Sequence, residues 1–283
     1  MPFLWGVIAR QGSLLGDSAS GATVRVTNGL WFSYPGYNEL LSGAPDERIN
    51  SNEKVPNPNV TVLEWLNGRP GFAGRVAAYG SWDVLPFILN SARSGLPANG
   101  DGPPFPEPRS AAERALNDLA ADLPPYWGTV RFDAVTMQGA LHHLRTSKPR
   151  VLYVMLGDTD EWAHERRYDL YLDAVWRSDR FLRTLWETVQ GMPEYRGRTA
   201  LLVTTDHGRG SANDWTDHGR NVPAAARIWI AGIGPGIPGP RSLVRGPREH
   251  TQAQFAATIA AVLGLDGPFR AANPRAAPPI AWP

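Results

Sequence analysis

The chain has 283 residues, 42% of them hydrophobic, so it can bury one large core or two small ones. Its 28 basic and 27 acidic residues are interspersed and give a net charge of +1, which excludes a basic nucleic-acid-binding stripe. The absence of cysteine excludes disulfides, thiolate metal sites and a cysteine nucleophile.

Short apolar runs alternate with amphipathic runs along the chain. The short runs predict strands at Thr23–Val26, Arg75–Tyr79, Val151–Leu156, Ala200–Thr204 and Arg227–Ala231. The amphipathic runs predict helices at Gly36–Ser42, Val60–Asn67, Ala111–Asp122, Ala134–Arg145, Tyr168–Val189 and Thr251–Leu263. This alternation predicts an α/β fold, a three-layer αβα sandwich in which a largely parallel central sheet carries helices on both faces.

The 29 glycines and 26 prolines predict long irregular connections. They cluster at Ser94–Pro108 and Gly232–Pro247, and neither stretch has the character of an interdomain linker. We therefore predict a single domain over residues 1–283, with a surface excursion at about residues 94–128.

Three separate stretches place an aspartate beside a histidine. They are Asp160-Glu-Trp-Ala-His164, Asp206-His207-Gly208 and Asp217-His218-Gly219. Histidine together with carboxylate is a ligand set that suits Zn²⁺ or Mn²⁺. The supply of such side chains from three separate stretches favours more than one ion, and therefore a two-metal hydrolytic site.

The first two of these stretches follow directly on predicted strands. Ligands of open α/β sheets bind beyond the carboxyl ends of the strands, so this placement indicates a functional site. Asp160 and His164 share a helix face at their four-residue spacing, and Asp158 is a competing ligand. Asp206 and His207 can act together only if the chain turns after its strand, which the glycine that follows them permits.

The remaining histidines have weaker signals. His218 lies in a predicted loop, and Asp217 beside it is either a ligand or a partner that orients the imidazole. His250 is interpreted as part of a cap of the helix that follows it. His142 and His143 lie on a predicted helix between leucines and are interpreted as structural.

Ser33 lies near the predicted start of the first helix, because Pro35 suits a first helical turn. The free N–H groups and the dipole at a helix start favour an anion and a lowered hydroxyl pKa. Ser33 is therefore either a nucleophile or a plain helix cap.

Taken in order, these elements resemble the alkaline phosphatase superfamily, in the branch of phosphodiesterase/nucleotide pyrophosphatase and phosphoglycerate-mutase-like metalloenzymes. The resemblance spans nearly the whole chain. The stretches that carry it are Ser33-Tyr-Pro-Gly-Tyr-Asn-Glu-Leu-Leu-Ser-Gly43, Asp160-x3-His164, Thr205-Asp-His-Gly208, His218-Gly219, Ile228–Gly236 and the helix at Gln252–Leu263.

The resemblance implies a metal-dependent hydrolase of phosphoric esters, with two divalent ions about 4 Å apart and zinc preferred over manganese. The implied ligands form two sets, Asp160, His164 and His218 for one ion and Asp206 and His207 for the other. Ser33 would attack phosphorus and form a covalent phosphoseryl intermediate, which water then releases. The implied partner is a small-molecule phosphate ester, either a monoester or a diester.

The amino-terminal region departs from the superfamily. Its members begin with a strand that ends in an Asp, and this Asp ligates the second ion. Here Met1-Pro2-Phe3-Leu4-Trp5 match the helix after that strand, and Asp17 lies in the wrong part of the fold to replace the ligand. The sequence therefore looks amino-terminally truncated, and we expect the ion at Asp206 and His207 to be weakly bound or absent.

Two alternative functions follow. A catalytically impaired or inert metal-binding fragment is the first, because of the missing strand. A sulfatase is less favoured, because sulfatases modify a Cys or Ser within a C/S-x-P-x-R pattern and Tyr37 stands where the Arg belongs.

The sequence offers no membrane anchor or export signal. No apolar run approaches the roughly 18 residues of a membrane-spanning helix. The first residues do not have the charged and apolar regions of a signal peptide, although a periplasmic or secreted location fits relatives of this type.

Overall fold

The computed structural model describes residues 1–17, 22–100, 102–239, 242–243 and 248–282. The strands are β1 (Ser13–Leu15), β2 (Ala22–Arg25), β3 (Val76–Gly80), β4 (Ala98–Asn99), β5 (Val151–Met155), β6 (Leu201–Thr204), β7 (Arg227–Ile228), β8 (Ile230–Ile233), β9 (Ser242–Leu243) and β10 (Arg248–Thr251). The helices are α1 (Ala9–Gln11), α2 (Ser33–Ser42), α3 (Val62–Asn67), α4 (Leu85–Ile88), α5 (Ser91–Ser94), α6 (Ala111–Asp122), α7 (Asp133–Ser147), α8 (Asp158–His164), α9 (Tyr168–Gly191), α10 (Gln254–Val262) and α11 (Asp266–Ala272). A π-helical segment at Leu4–Ile8 precedes α1.

The long amphipathic helices lie where the sequence predicts them. Helix α6 has the predicted bounds, and a capping box closes its start. In that box the Ser110 side chain accepts from the Glu113 backbone, and the Glu113 side chain accepts from the Ser110 backbone. Helices α7 and α9 extend slightly beyond their predicted bounds.

Two predicted elements were wrong in detail. The predicted strand Arg227–Ala231 is two strands, because β7 pairs with β2 whereas β8 pairs with β1 and β6. The predicted helix start at Thr251 belongs to β10, which pairs in parallel with β2, so α10 begins only at Gln254. His250 therefore lies in a strand and not in a helix cap.

Contacts divide the described residues into two compact units, Met1–Asn52 with Val175–Pro283 and Glu53–Ala174. The first unit contains two sheets, with the strand orders β6-β8-β1-β9 and β10-β2-β7. Its amino-terminal segment packs on β1 and β8 through a buried cluster, which consists of Phe3, Leu4, Ile8, Leu14, Ala231 and Ile233. The buried carboxylate of Asp179 on α9 accepts both the Phe3 N–H and the Leu4 N–H, each at 2.8 Å.

The second unit contains the sheet β4-β3-β5, in which both pairings are parallel. Strand β3 is buried along its whole length, as expected for a strand that is covered on both faces. Because parallel strands end at the same edge, the residues after β3 and β5 meet, and the Ser81 N–H donates to the Met155 carbonyl at 3.0 Å. The predicted α/β class with a parallel sheet is confirmed, while the single domain over residues 1–283 stays a prediction.

Among the helices in the described part of the chain, none has both the length and the apolarity that crossing a bilayer requires.

Candidate nucleophile and metal ligands

The chain turns sharply after β6, and this turn presents Asp206 and His207. The side chain of Gln252 is fully buried and donates from Nε2 to the Thr205 carbonyl at 3.0 Å and to the Asp206 carbonyl at 2.6 Å. A Cβ at Gly208 would overlap the carbonyl oxygen of Arg227, so only glycine fits there. The turn that the sequence requires for joint ligation is therefore present, and Gln252 holds it from a distant part of the chain.

The imidazole of His207 faces two oxygen atoms. Its Nε2 atom lies 3.4 Å from Asp206 Oδ2 and 3.4 Å from Ser33 Oγ. Its Nδ1 atom lies 2.8 Å from the Gly208 carbonyl oxygen. Because a carbonyl oxygen only accepts, Nδ1 carries a proton in this contact, and in the neutral ring Nε2 presents its lone pair to the carboxylate. This is the arrangement of a metal-ligating histidine, whose other nitrogen donates to a backbone carbonyl.

His218 joins this group from the loop that the sequence predicts. Its ring stacks on that of His207 with centroids 4.0 Å apart and an interplanar angle of 27°. The first unit thus brings together Ser33, Asp206, His207 and His218. The resemblance assigns His218 to a different ion from His207, yet the two imidazoles are direct neighbours.

Asp206 is a mostly buried carboxylate, with 17% of its side chain exposed. Burial raises its pKa, while His207, when its ring is protonated, and a hydrogen bond from Tyr37 lower it. A cation beside the carboxylate would also stabilise the ionised form. Tyr37 therefore contacts a candidate ligand, whereas its position in the sequence shows only that it stands where a sulfatase has arginine.

Ser33 is the first residue of α2, and Phe32 occupies the cap position with no side-chain cap bond. Asn52 takes the capping role instead, since its Oδ1 accepts the Tyr34 N–H at 2.9 Å. The Ser33 hydroxyl is directed at His207 and does not cap the helix.

Helix α2 is anchored from within by Glu39, which is fully buried. Its carboxylate accepts the Thr27 N–H, the Thr27 hydroxyl and the Asn28 N–H, all within 3.0 Å. Burial raises the pKa of Glu39 and these hydrogen bonds lower it. Glu39 thereby ties the loop before Ser33 to the body of the helix.

Helix α2 also approaches the turn after β6 very closely. A Cβ at Gly36 would overlap the carbonyl oxygen of Asp206. Gly36 therefore sets the distance between the helix that carries Ser33 and the turn that carries His207.

We expect Gly36→Ala to lower kcat/KM by about 10²-fold, because a displacement of about 1 Å in an active site has an effect of this size. Gly191→Ala is the matched control, since a Cβ there meets nothing within 4 Å. Both changes raise helix propensity, so only crowding against Asp206 distinguishes them. Equal turnover of the two variants on an aryl phosphate would contradict this prediction.

In the second unit, Asp160 and His164 lie on α8, four residues apart as the sequence predicts. Asp160 Oδ2 is 3.2 Å from His164 Nε2. The competing ligand Asp158 is buried, and its Oδ1 accepts the N–H of Asp133 at 2.9 Å. Burial raises the pKa of Asp133 to about 6, although hydrogen bonds from Ser81 and from the Gly157 and Asp158 backbone lower it.

Arg209 and Asp217 flank the histidine loop in the first unit. The guanidinium of Arg209 donates to the Thr216 carbonyl at 2.6 Å, and the Thr216 hydroxyl donates to Asp217 Oδ2 at 3.2 Å. Burial lowers the pKa of Arg209 to about 10, and Asp217 raises it. Arg209 therefore stays cationic at neutral pH, next to the loop of His218.

The donor set of the first unit suits a divalent cation. A carboxylate oxygen and an imidazole nitrogen that both act as acceptors face each other, and a second imidazole stacks beside them. Carboxylate oxygen and imidazole nitrogen are ligands of Zn²⁺ and Mn²⁺ in proteins. The residues present therefore fit a metal site.

No protein-family model matches the chain, and no curated protein matches it by sequence. Solved structures do match. The alkaline phosphatase PafA has a TM-score of 0.65 at 11% identity, over 92% of this chain and 91% of its own. A 2-O GAG sulfatase has a TM-score of 0.55 at 12% identity, over 91% of this chain and 64% of its own. A TAB5 alkaline phosphatase variant with bound Mg has a TM-score of 0.50 at 12% identity, over 90% of this chain and 89% of its own.

These neighbours are alkaline phosphatases and a sulfatase, so the fold predicted from the order of the motifs is confirmed. At such low identities the likeness concerns the fold. The chain has the fold of the alkaline phosphatase superfamily.

Proposed function

We propose that the chain is a metal-dependent hydrolase of phosphoric esters in which Ser33 is the nucleophile. The observation that carries the proposal is the approach of Ser33 Oγ and Asp206 Oδ2 to the same His207 nitrogen, each at 3.4 Å. A hydroxyl at a helix start beside a carboxylate and imidazole ligand set has the surroundings that an activated nucleophile needs. The fold of phosphatases and sulfatases supports the reaction class.

The proposed metal ligands are Asp206, His207 and His218 of the first unit and Asp160 and His164 of the second. Two divalent ions are proposed. Zinc is preferred because imidazole nitrogens make up three of the five proposed ligands. When bound, such ions lower the pKa of a hydroxyl and neutralise charge on phosphate oxygens.

The chain's own residues carry the remaining work. The Ser33 hydroxyl loses its proton as the Oγ–P bond forms and the ester P–O bond breaks, and the leaving alkoxide gains one proton and departs as the alcohol. Water then cleaves the phosphoseryl ester, which returns the Ser33 hydroxyl and releases phosphate or a phosphomonoester. Glu39 and Gly36 hold the Ser33 helix in position, and the partly buried Arg209 guanidinium supplies a positive charge for a phosphate oxygen.

The test is hydrolysis of three nitrophenyl esters by the purified chain: the phosphate monoester, the phosphate diester and the sulfate. We expect turnover of a phosphate ester that a chelator abolishes and Zn²⁺ or Mn²⁺ restores, with metal content measured in parallel. Turnover that persists at zero metal content would contradict the metal-dependent mechanism. Metal binding without any turnover would favour the inert metal-binding fragment.

A sulfatase is the second candidate, because a sulfatase is among the structural neighbours. Sulfatase chemistry would require Ser33 to be converted to an aldehyde, and Tyr37 stands where the sulfatase pattern has arginine. Mass measurement of the peptide that contains Ser33 decides between the two, since only the sulfatase predicts an aldehyde there.

A further inference from the structure

The start of α8 is held by a carboxylate from another helix. Asp133, the first residue of α7, accepts the Gly157 N–H at Oδ1 at 2.7 Å and the Asp158 N–H at Oδ2 at 3.0 Å. These N–H groups have no partner within α8, because the first N–H groups of a helix never do. Asp133 therefore caps α8 from outside, where Gly157 has no side chain to cap it.

The capping is reciprocal. Asp158, the first residue of α8, accepts the backbone N–H of Asp133 at 2.9 Å and so caps α7. Each of the two helices thus begins with an aspartate that satisfies the start of the other. The two helix starts are locked together in position and in direction.

The hydrogen-bond network of Asp133 extends to the edge of the sheet. The Ser81 hydroxyl, directly after β3, donates to Asp133 Oδ1 at 2.5 Å and lies 2.9 Å from the Thr136 hydroxyl. Asp133 is 2% exposed, and Ser81 and Thr136 are fully buried. The position of α8 is therefore fixed relative to β3 and α7 as well as to its own strand, β5.

The hydrogen bonds at position 133 require a carboxylate. Asp133 accepts three hydrogen bonds and uses both oxygens. An asparagine offers one acceptor oxygen, and its amide would bring N–H against a backbone N–H. Asparagine would therefore lose at least one bond and leave a buried donor unsatisfied.

We propose that Asp133 is a positioning residue that sets the metal affinity of Asp160 and His164 by fixing the start of the helix that carries them. This proposal rests on the proposed function, since it takes Asp160 and His164 as ligands. Partners that orient ligands typically change metal affinity by about 10–100-fold when they are removed.

The test compares Asp133→Asn with Asp179→Asn. Asp179 is an equally buried carboxylate in the first unit that accepts the backbone N–H groups of Phe3 and Leu4. Both variants remove a buried bridge to backbone N–H groups, so Asp179→Asn accounts for a general loss of stability. Zinc affinity is measured by competition with a chromogenic chelator, and amide hydrogen exchange of residues 158–164 is measured without metal.

We expect Asp133→Asn to weaken zinc binding at least about tenfold relative to Asp179→Asn and to speed exchange across residues 158–164. Ser81→Ala keeps the carboxylate and removes one donor. It should also weaken zinc binding and speed exchange across residues 158–164, but less than Asp133→Asn does. Zinc affinity of Asp133→Asn equal to that of Asp179→Asn would overturn the proposal. If the unaltered chain binds no zinc, the proposed function fails, while the exchange experiment still decides whether Asp133 holds α8.

Discussion

Ser33→Ala is expected to lower turnover of an aryl phosphate by at least about 10³-fold, which corresponds to about 4 kcal/mol of lost transition-state stabilisation. The reason is that the proposed covalent step needs the Ser33 oxygen, which lies 3.4 Å from His207 Nε2 at the start of α2. Metal content should stay unchanged, because the proposed ligands remain.

Ser42→Ala is the matched control for this change. Ser42 lies at the opposite end of the same helix, is buried, and donates its hydroxyl to the Asn38 carbonyl at 2.7 Å. Its removal tests the effect of losing a buried hydroxyl from α2 without touching the proposed nucleophile. Turnover by Ser33→Ala within tenfold of Ser42→Ala would reject Ser33 as the nucleophile.

A trapping experiment gives an independent view of the same step. Rapid acid quenching during turnover should leave a phosphoryl group on the peptide that contains Ser33, and none on the Ser33→Ala protein. A phosphoryl group on a different residue would show that the covalent mechanism is correct and the assignment wrong.

The second large effect is expected from His207→Gln, which should abolish turnover and remove the ion that His207 would hold. The substitution keeps a polar side chain, but it removes the ring nitrogen that faces Asp206 and Ser33 and the ring that stacks on His218. Removing a direct ligand costs more than removing a partner that orients one, so zinc affinity should fall more than about 100-fold.

His142→Gln is the control for the loss of an imidazole. His142 is a partly buried histidine of α7 whose Nε2 lies 3.2 Å from Glu113 Oε1, and it plays no part in the proposed site. Zinc content is measured by elemental analysis of both variants. A zinc content in His207→Gln equal to that of the unaltered chain would mean that His207 holds no ion.

These two variants separate binding from chemistry. The Ser33 variant should keep its metal content and lose turnover, whereas the His207 variant should lose turnover and the ion that His207 would hold. The opposite pattern for Ser33, with metal lost, would make its hydroxyl a ligand instead of a nucleophile.

Much of the secondary structure could be predicted because its causes are local. The bounds of α6 follow from a capping box within four residues, and α9 follows from a long amphipathic pattern. The placement of Asp206 and His207 after β6 could be predicted for the same reason, since an apolar strand leads directly into them.

Other features depend on partners that are distant in sequence. Arg227–Ala231 is split into β7 and β8 because adjacent residues pair with strands of two different sheets. The hydrophobic pattern of five residues does not indicate which strand they will pair with. The strand character of Arg248–Thr251 likewise comes from pairing with β2.

The sequence by itself determined the fold class, the chemical types of the candidate ligands and the order in which they follow the strands. Only the tertiary structure decided that His218 stacks on His207, that Gln252 holds the turn at Asp206, and that Asp133 and Asp158 cap each other's helices. The physical reason is that hydrophobic periodicity and helix capping within a segment act over a few residues. A hydrogen bond between buried groups depends on how the packed elements bring them together, and no local pattern records that.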